Sequence, residues 1–302
     1  MYEPIVPSRS HYVEIRGLRH HFRHWGDTGA PLLLALHGWM DSSATFQFLA
    51  DDLGQRFHLV APDWRGFGRT AWGGGDSYEV GEYLGDLDAF CRYLAPDRPV
   101  MLLGHSMGGN MAMLYAGVRP ERVAAVVNLE GLGLPAVPPQ AVPARLRQWL
   151  DQIAAGARLG DYEDAAAYAR RLVRDNPRLD PDRAAFLATH NGRLVQGRWR
   201  LRADPAHKII NRVAYRLEEV LACWQEITAP VLWVEASESA TRARMLAEPG
   251  YETRLACVAS IQRVVMEGVG HMLHQERPAE VAQLVADFLS SAAMAGEGRP
   301  TM

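Results

Sequence analysis

The sequence predicts an α/β protein: a mostly parallel, eight-stranded sheet flanked by helices, with a helical block inserted between the sixth and seventh strands. Three observations predict it. Short apolar runs are nearly continuous rather than alternating, as in strands buried on both faces of a parallel sheet. Helix-like segments separate those runs. The rhythm then stops between about residues 132 and 225 and resumes near the end of the chain.

Taken in order, HYVEIRGLRHHFRHWG reads as an antiparallel hairpin at one sheet edge, its His20, His21 and His24 expected on the exposed surface. A metal site there would lack acidic or cysteine partners. PLLLALHG (31–38), HLVAPD (58–63), PVMLLGHS (99–106) and VAAVVNLEG (123–131) supply the third to sixth strands, each ended by Gly, Asp or Ser. SSATFQFLADDLG, YEVGEYLGDLDAFCRYLA and GNMAMLYAGVRP carry helical spacing between them. PVLWVEAS (230–237) and QRVVMEGVG (262–270) are the seventh and eighth strands. PAEVAQLVADFLSSA closes the chain as an amphipathic helix from Pro278, a residue suited to a first helical turn. The tail from Ser290 onward, small and Gly/Pro-containing, reads as a frayed end.

The interruption holds AVPARLRQWLDQIAAGA, YEDAAAYARRLVRD and PDRAAFLATHN, all Ala-rich at helical spacing. The expected division is a core of residues 1–131 and 226–302 and a cap of residues 132–225. Inserted after the sixth strand, the cap would sit over the C-terminal strand ends, where open α/β sheets bind ligands. Its stretch RLRADPAHKIINRVAYRLEE is rich in arginine, expected to pair with acids of the core, with admission of an acidic substrate as the alternative.

Composition narrows the function. The 302 residues are 48% hydrophobic and 22% charged, ordinary for a globular protein. A net charge of -3 with interspersed signs leaves no footprint for nucleic acid or an anionic membrane, so the expected partner is a small, weakly polar substrate. Cys91, Cys223 and Cys257 lie far apart and outside any CxxC spacing, as reduced thiols of a cytoplasmic protein would. The first residues lack a signal-peptide pattern, and no apolar run approaches the roughly 18 residues of a membrane span. Monomer and homodimer remain equally open.

The chemistry centres on VMLLGHSMGGNMAMLYA. A strand running straight into a helix must turn through a strained residue, which projects its side chain at the mouth of the sheet. Gly104 and Gly108 leave room for that turn, so Ser106 is the candidate nucleophile. Its base should follow the last strand, where MEGVGHMLHQERP offers His271; His274 is the competitor, set inside the next helical turn. LHGWM ends the third strand in the loop that should face the serine, which makes the backbone N–H groups of Trp39 and Met107 the expected oxyanion donors.

The acid is less obvious. VLWVEASES after the seventh strand has no aspartate, Ser239 stands about where one belongs, and Glu238 is a candidate. Glu130 closes the apolar sixth strand, and a carboxylate there is costly unless paired, which an imidazolium would provide. Glu130 is the preferred acid. The pocket is expected to be apolar, with Met40, Leu132 and Leu134 near the site and Trp149 and Phe186 closing from the cap.

With GHSMGG, LHGW, PDWRGFGRT and GHMLH in this order, the chain resembles the α/β-hydrolase superfamily over nearly its whole length outside the cap, and within it the serine hydrolase-like branch. The resemblance implies a cofactor-independent, metal-free hydrolase in which Asp63 and Arg65 brace the loop after the fourth strand. It also implies esters as substrates, with thioesterase, lactonase, amidase, C–C hydrolase or haloperoxidase chemistry as alternatives and a non-catalytic binding protein as the remaining one. Some haloalkane dehalogenases of that superfamily carry a glutamate after the sixth strand, as Glu130 would be, but with an aspartate nucleophile and a tryptophan where this chain has Ser106 and Met107.

Overall fold

The chain enters its main sheet as the expected hairpin, β1 (Arg9–Ile15) antiparallel to β2 (Leu18–Trp25). Then follow β3 (Leu32–Leu36), α1 (Gln47–Leu53), β4 (His58–Pro62), α2 (Val80–Leu94), β5 (Val100–His105), α3 (Met107–Val118) and β6 (Val123–Leu129). In this computed structural model, which describes residues 2–297, every residue of β3 is buried. Its side chains alternate: Leu34 and Leu36 enter the core layer under α2 and α3, while Leu33 and Ala35 enter the layer under α1. Two covered faces are why the apolar runs are continuous.

The hairpin histidines differ from expectation. His20 and His21 are fully buried and His24 is half-buried. β2 is an interior strand, paired with β1 on one side and β4 on the other, and the rings find partners within the fold. His20 packs edge-on against Phe90 of α2, His21 bonds Asp63 and Ser10, and His24 lies between His11 and His58.

After β6 the chain leaves the sheet for α4 (Val142–Ala155), β7 (Asp161–Tyr162), α5 (Ala165–Asp175), α6 (Pro181–Asn191), β8 (Gly192–Val195), β9 (Arg198–Leu201) and α7 (Leu217–Gln225). Helix starts follow local rules: Asp164 and Asp180 cap α5 and α6 through their side chains, and Pro181 opens α6. The segment is less purely helical than expected, because β7, β9 and β8 form a small antiparallel sheet. Its last part returns to the core layer. α7 packs on α3 so closely that a Cβ at Gly117 would meet the Cys223 carbonyl oxygen at 1.9 Å.

The sheet is completed by β10 (Val231–Ala236) and, after α8 (Ala240–Leu246) and α9 (Tyr251–Arg254), by β11 (Ile261–Met266); α10 (Leu273–Glu276) and α11 (Pro278–Glu297) close the chain. The strand order is β1-β2-β4-β3-β5-β6-β10-β11, parallel from β4 onward. α11 continues past Ser290 rather than fraying there, because Val281, Val285 and Leu289 anchor it on the sheet and small helix-forming residues extend it. The rest of the tail, residues 298–302, lies outside the described residues. Among the described residues no helix is long and apolar enough to cross a membrane.

Candidate active site

Sheet order determines which loops can meet. β5 lies between β3 and β6, so the loop after β3, the turn after β5 and the end of β6 share one edge. Ser106 forms the β5–α3 turn at φ 52° and ψ −114°, a left-handed conformation that costs a non-glycine residue about 1–3 kcal/mol. Its N–H donates to the Leu129 carbonyl at 2.8 Å, and its carbonyl accepts from Asn110 N at 2.9 Å. The glycines are required by contact. A Cβ at Gly104 would lie 2.4 Å from the Gly108 carbonyl oxygen, and one at Gly108 would lie 2.0 Å from that of Leu36.

The β3 loop rests on the serine, since a Cβ at Gly38 would come within 3.3 Å of Ser106 Cβ. Trp39 follows directly. Neither its backbone N–H nor that of Met107 donates to an acceptor among the described residues, which leaves both for a ligand oxygen. Behind them, His37 Nδ1 donates to the Gly38 carbonyl and His37 Nε2 accepts from Trp64 N, fixing the loop.

Glu130 is fully buried at φ 58°, just past β6. Its carboxylate accepts from Ala236 N at 2.7 Å, from the Ser239 hydroxyl, and from His271 Nδ1 at 3.0 Å. Ser239, standing where the sequence lacks an aspartate, therefore supports an acid that comes from the neighbouring strand. With His271 Nδ1 donating to this carboxylate, its Nε2 is left without a partner among the described residues. The alternative acid, Glu238, is 53% exposed and pairs with Arg178 at 3.6 Å. His274 is fully buried against Thr45 Oγ1 at 2.8 Å, and burial followed by the nearby His271 pushes it down to about 3. Sequence reasoning passed over His105. It is buried, held neutral by that burial and by His274 and His271, and its Nε2 donates to the His271 carbonyl at 2.8 Å, tying the His271 loop to β5.

Asp63 and Arg65 brace the β4 loop as the resemblance implied. Burial would raise the Asp63 carboxyl, but the His21 hydrogen bond and N–H groups of Ser43 and Arg69 hold it below the usual range. Arg65 binds Asp86 in a two-point pair at 2.6 and 2.7 Å.

Ser106 and Met107 open into a cavity of about 460 Å³. Met107, Asn110, Met111 and Leu114 line it at i, i+3, i+4 and i+7 of α3, a periodicity readable in the sequence but not used. Tyr83 of α2 forms a wall. The roof is Ala206 and His207 from a 3₁₀ turn (Pro205–Lys208), Ile209, Asn211 and Tyr215 from the irregular stretch after it, then Val220 and Trp224 of α7. His207 is clamped between Phe67 and Tyr78 at ring distances of 3.6 and 3.9 Å, and burial pushes it down to about 3. Of the expected pocket residues, Leu134 lines the cavity and four do not. Leu132 is buried in the core, Met40 borders a separate small void beside Asp41 and Tyr168, Trp149 lies under Arg212, and Phe186 packs with Phe48 and Tyr2. Most of the roof is connecting chain, and its helical part is α7 rather than the helices that carry Trp149 and Phe186.

The model of the α/β hydrolase fold matches residues 31–278. The chain belongs to the α/β-hydrolase fold family. This α/β hydrolase is 28% identical over 277 residues to a serine hydrolase-like protein of Danio rerio, covering 88% of the chain and 83% of the relative. It is also 28% identical over 282 residues to the lipase LipV of Mycobacterium tuberculosis, covering 89% and 97%. Among solved structures it resembles the thioesterase domain from the curacin biosynthetic pathway, with a TM-score of 0.82 and 26% identity over 93% of this chain and 99% of that one. It is a hydrolase of this family.

Proposed function

We propose that this α/β hydrolase cleaves carboxylic esters through an acyl-enzyme on Ser106. The observation that carries the reading is the buried Glu130 carboxylate, held from two sides and bonded to the Nδ1 face of His271, which frees Nε2 for the serine proton. Ser106 Oγ attacks the acyl carbon while His271 takes its proton, and the carbonyl oxygen becomes an oxyanion between the N–H groups of Trp39 and Met107. As the tetrahedral species collapses, His271 returns the proton to the leaving alkoxide, and the alcohol departs. Water, deprotonated by His271, then attacks the acyl carbon, and Ser106 Oγ leaves with the proton from His271. Glu130 orients the imidazole and stabilises its charged form without taking the proton. Ser106, His271 and one water make and break every bond in the sequence, with Glu130 as the charge partner, so it requires no cofactor.

The apolar cavity favours an acyl chain of moderate length, and residues 132–225 act as the cap over it. Free Cys91, Cys223 and Cys257 favour a reducing, cytoplasmic setting. A thioester is the second reading, favoured by the likeness to the thioesterase domain. The test is stoichiometric labelling by a fluorophosphonate, absent in Ser106→Ala, followed by turnover of p-nitrophenyl esters and matched thioesters of increasing chain length. Failure of the wild-type protein both to label and to turn over any of them would refute the enzyme reading.

A further inference from the structure

A second cavity, of about 570 Å³, lies where the core meets the inserted segment and has a different chemistry. Arg19 of β2 and Arg69 of the loop after β4 line it from the core, and Arg193 of β8 and Arg202 line it from the insertion. Tyr12 and Trp72 form aromatic walls. The arginine-rich cap stretch was expected to pair with acids of the core; Arg212 does so with Glu79, whereas Arg216 pairs with Glu219 of the cap itself. None of the four cavity arginines does: among the described residues they have no carboxylate within ion-pair distance. Arg19 lies over the Tyr12 ring at 4.0 Å, and Arg202 Nε donates to the Gly192 carbonyl at 3.0 Å. Glu14, opposite Arg19 in the hairpin register, forms no ion pair with it. Burial, then the charges of Arg69 and Arg193, push Arg202 below its usual range, as like charges sharing a site do.

Four guanidinium groups converging on a concave space repel one another unless an anion joins them, and their planar forks match phosphate oxygens two at a time. We propose that this cavity binds a phosphate group, free or carried on a small organic molecule, as a site separate from Ser106. The aromatic walls suit an organic moiety, and the cavity has the volume of a small-ligand site. A bound phosphate would cross-link the core to the insertion. The loop segments it would brace are already in contact: Gly68 N donates to the Arg202 carbonyl at 2.7 Å and Asp204 N to the Gly66 carbonyl at 2.8 Å.

The test is isothermal titration and thermal melting of the full chain with inorganic phosphate and phenyl phosphate, ionic strength held constant with chloride. Saturable one-site binding with a dissociation constant of about 1 mM or tighter is expected, with a raised Tm. Arg69→Gln and Arg193→Gln, exposed and without bonded side-chain partners, should each weaken binding about tenfold while the circular dichroism spectrum is unchanged. Tighter binding of phenyl phosphate supports an organic phosphate ligand, and equal binding supports the inorganic ion. No saturation by about 10 mM, or undiminished binding in the double variant, overturns the proposal.

Discussion

Replacing Glu130 by Gln tests the proposed machinery at the point where the structure makes the sharpest demand. The carboxylate accepts three hydrogen bonds, from Ala236 N, the Ser239 hydroxyl and His271 Nδ1. A glutamine can place its oxygen toward Ala236 N, and the Ser239 hydroxyl can rotate to accept from the new NH₂. His271 cannot adapt without cost: facing a donor, Nδ1 must become the acceptor, and the proton moves to Nε2, where a base is needed. The flipped amide restores the His271 bond but sets its NH₂ against the buried Ala236 N–H, an unsatisfied pair costing about 1–3 kcal/mol. Loss of the correct tautomer in a triad costs a factor of about 10⁴ in turnover, equivalent to about 5.5 kcal/mol of barrier. Stability should fall by only about 1–3 kcal/mol, because the packing volume is kept. The assay is kcat/KM on p-nitrophenyl butyrate beside a thermal melt, with Glu238→Gln as control, expected within about twofold of wild type because that side chain is exposed. A folded Glu130→Gln enzyme keeping more than a tenth of its activity, or an equal loss in Glu238→Gln, would refute the assignment.

Other outcomes follow from the same contacts. Ser239→Ala removes one donor to Glu130 and should lower kcat about tenfold with KM little changed, measured by steady-state kinetics. Gly108→Ala forces a Cβ to 2.0 Å from the Leu36 carbonyl oxygen, so the turn must shift; fluorophosphonate labelling should slow at least about a hundredfold, and normal labelling would contradict the contact. Val220→Trp fills part of the cavity roof and should move the preferred ester to a shorter chain, read from the kcat/KM profile. His274 and His207 are buried and pushed down to about 3, so they stay neutral in the fold while the unfolded chain takes up protons below about pH 6.5. Their contribution is full above that pH and is lost as pH falls toward 3. At pH 5 each should cost about 2 kcal/mol relative to pH 7.5, measured by urea unfolding, and a pH-independent midpoint for His274→Gln relative to wild type would contradict this.

Much of this molecule was legible from the chain alone, because the signals are local. Continuous apolar runs ended by glycine or a polar residue marked each parallel strand, since a strand covered on both faces has no polar alternation to show. Gly104 and Gly108 around Ser106 announced the strained turn, because only glycine survives backbone approaches of 2.0–2.4 Å. The carboxylate at Glu130, isolated at the end of an apolar strand, asked for a partner.

What folding alone decided depends on which distant segments meet. The sheet order puts β6 beside β5 and lets β10 deliver Ala236 N and Ser239 to Glu130, a convergence across more than a hundred residues that no local pattern encodes. The burial of His20 came from α2, whose Phe90 meets its ring, and that of His21 from the loop after β4, which brings Asp63 to it. Much of the cavity roof came from residues 205–215, a 3₁₀ turn followed by irregular chain with no long period to read, and so Trp149 and Phe186 gave way to His207, Asn211 and Tyr215. The unpaired arginines became a site only when the insertion folded back on the hairpin edge, because charge convergence is a property of distance in space and leaves no trace in sequence spacing.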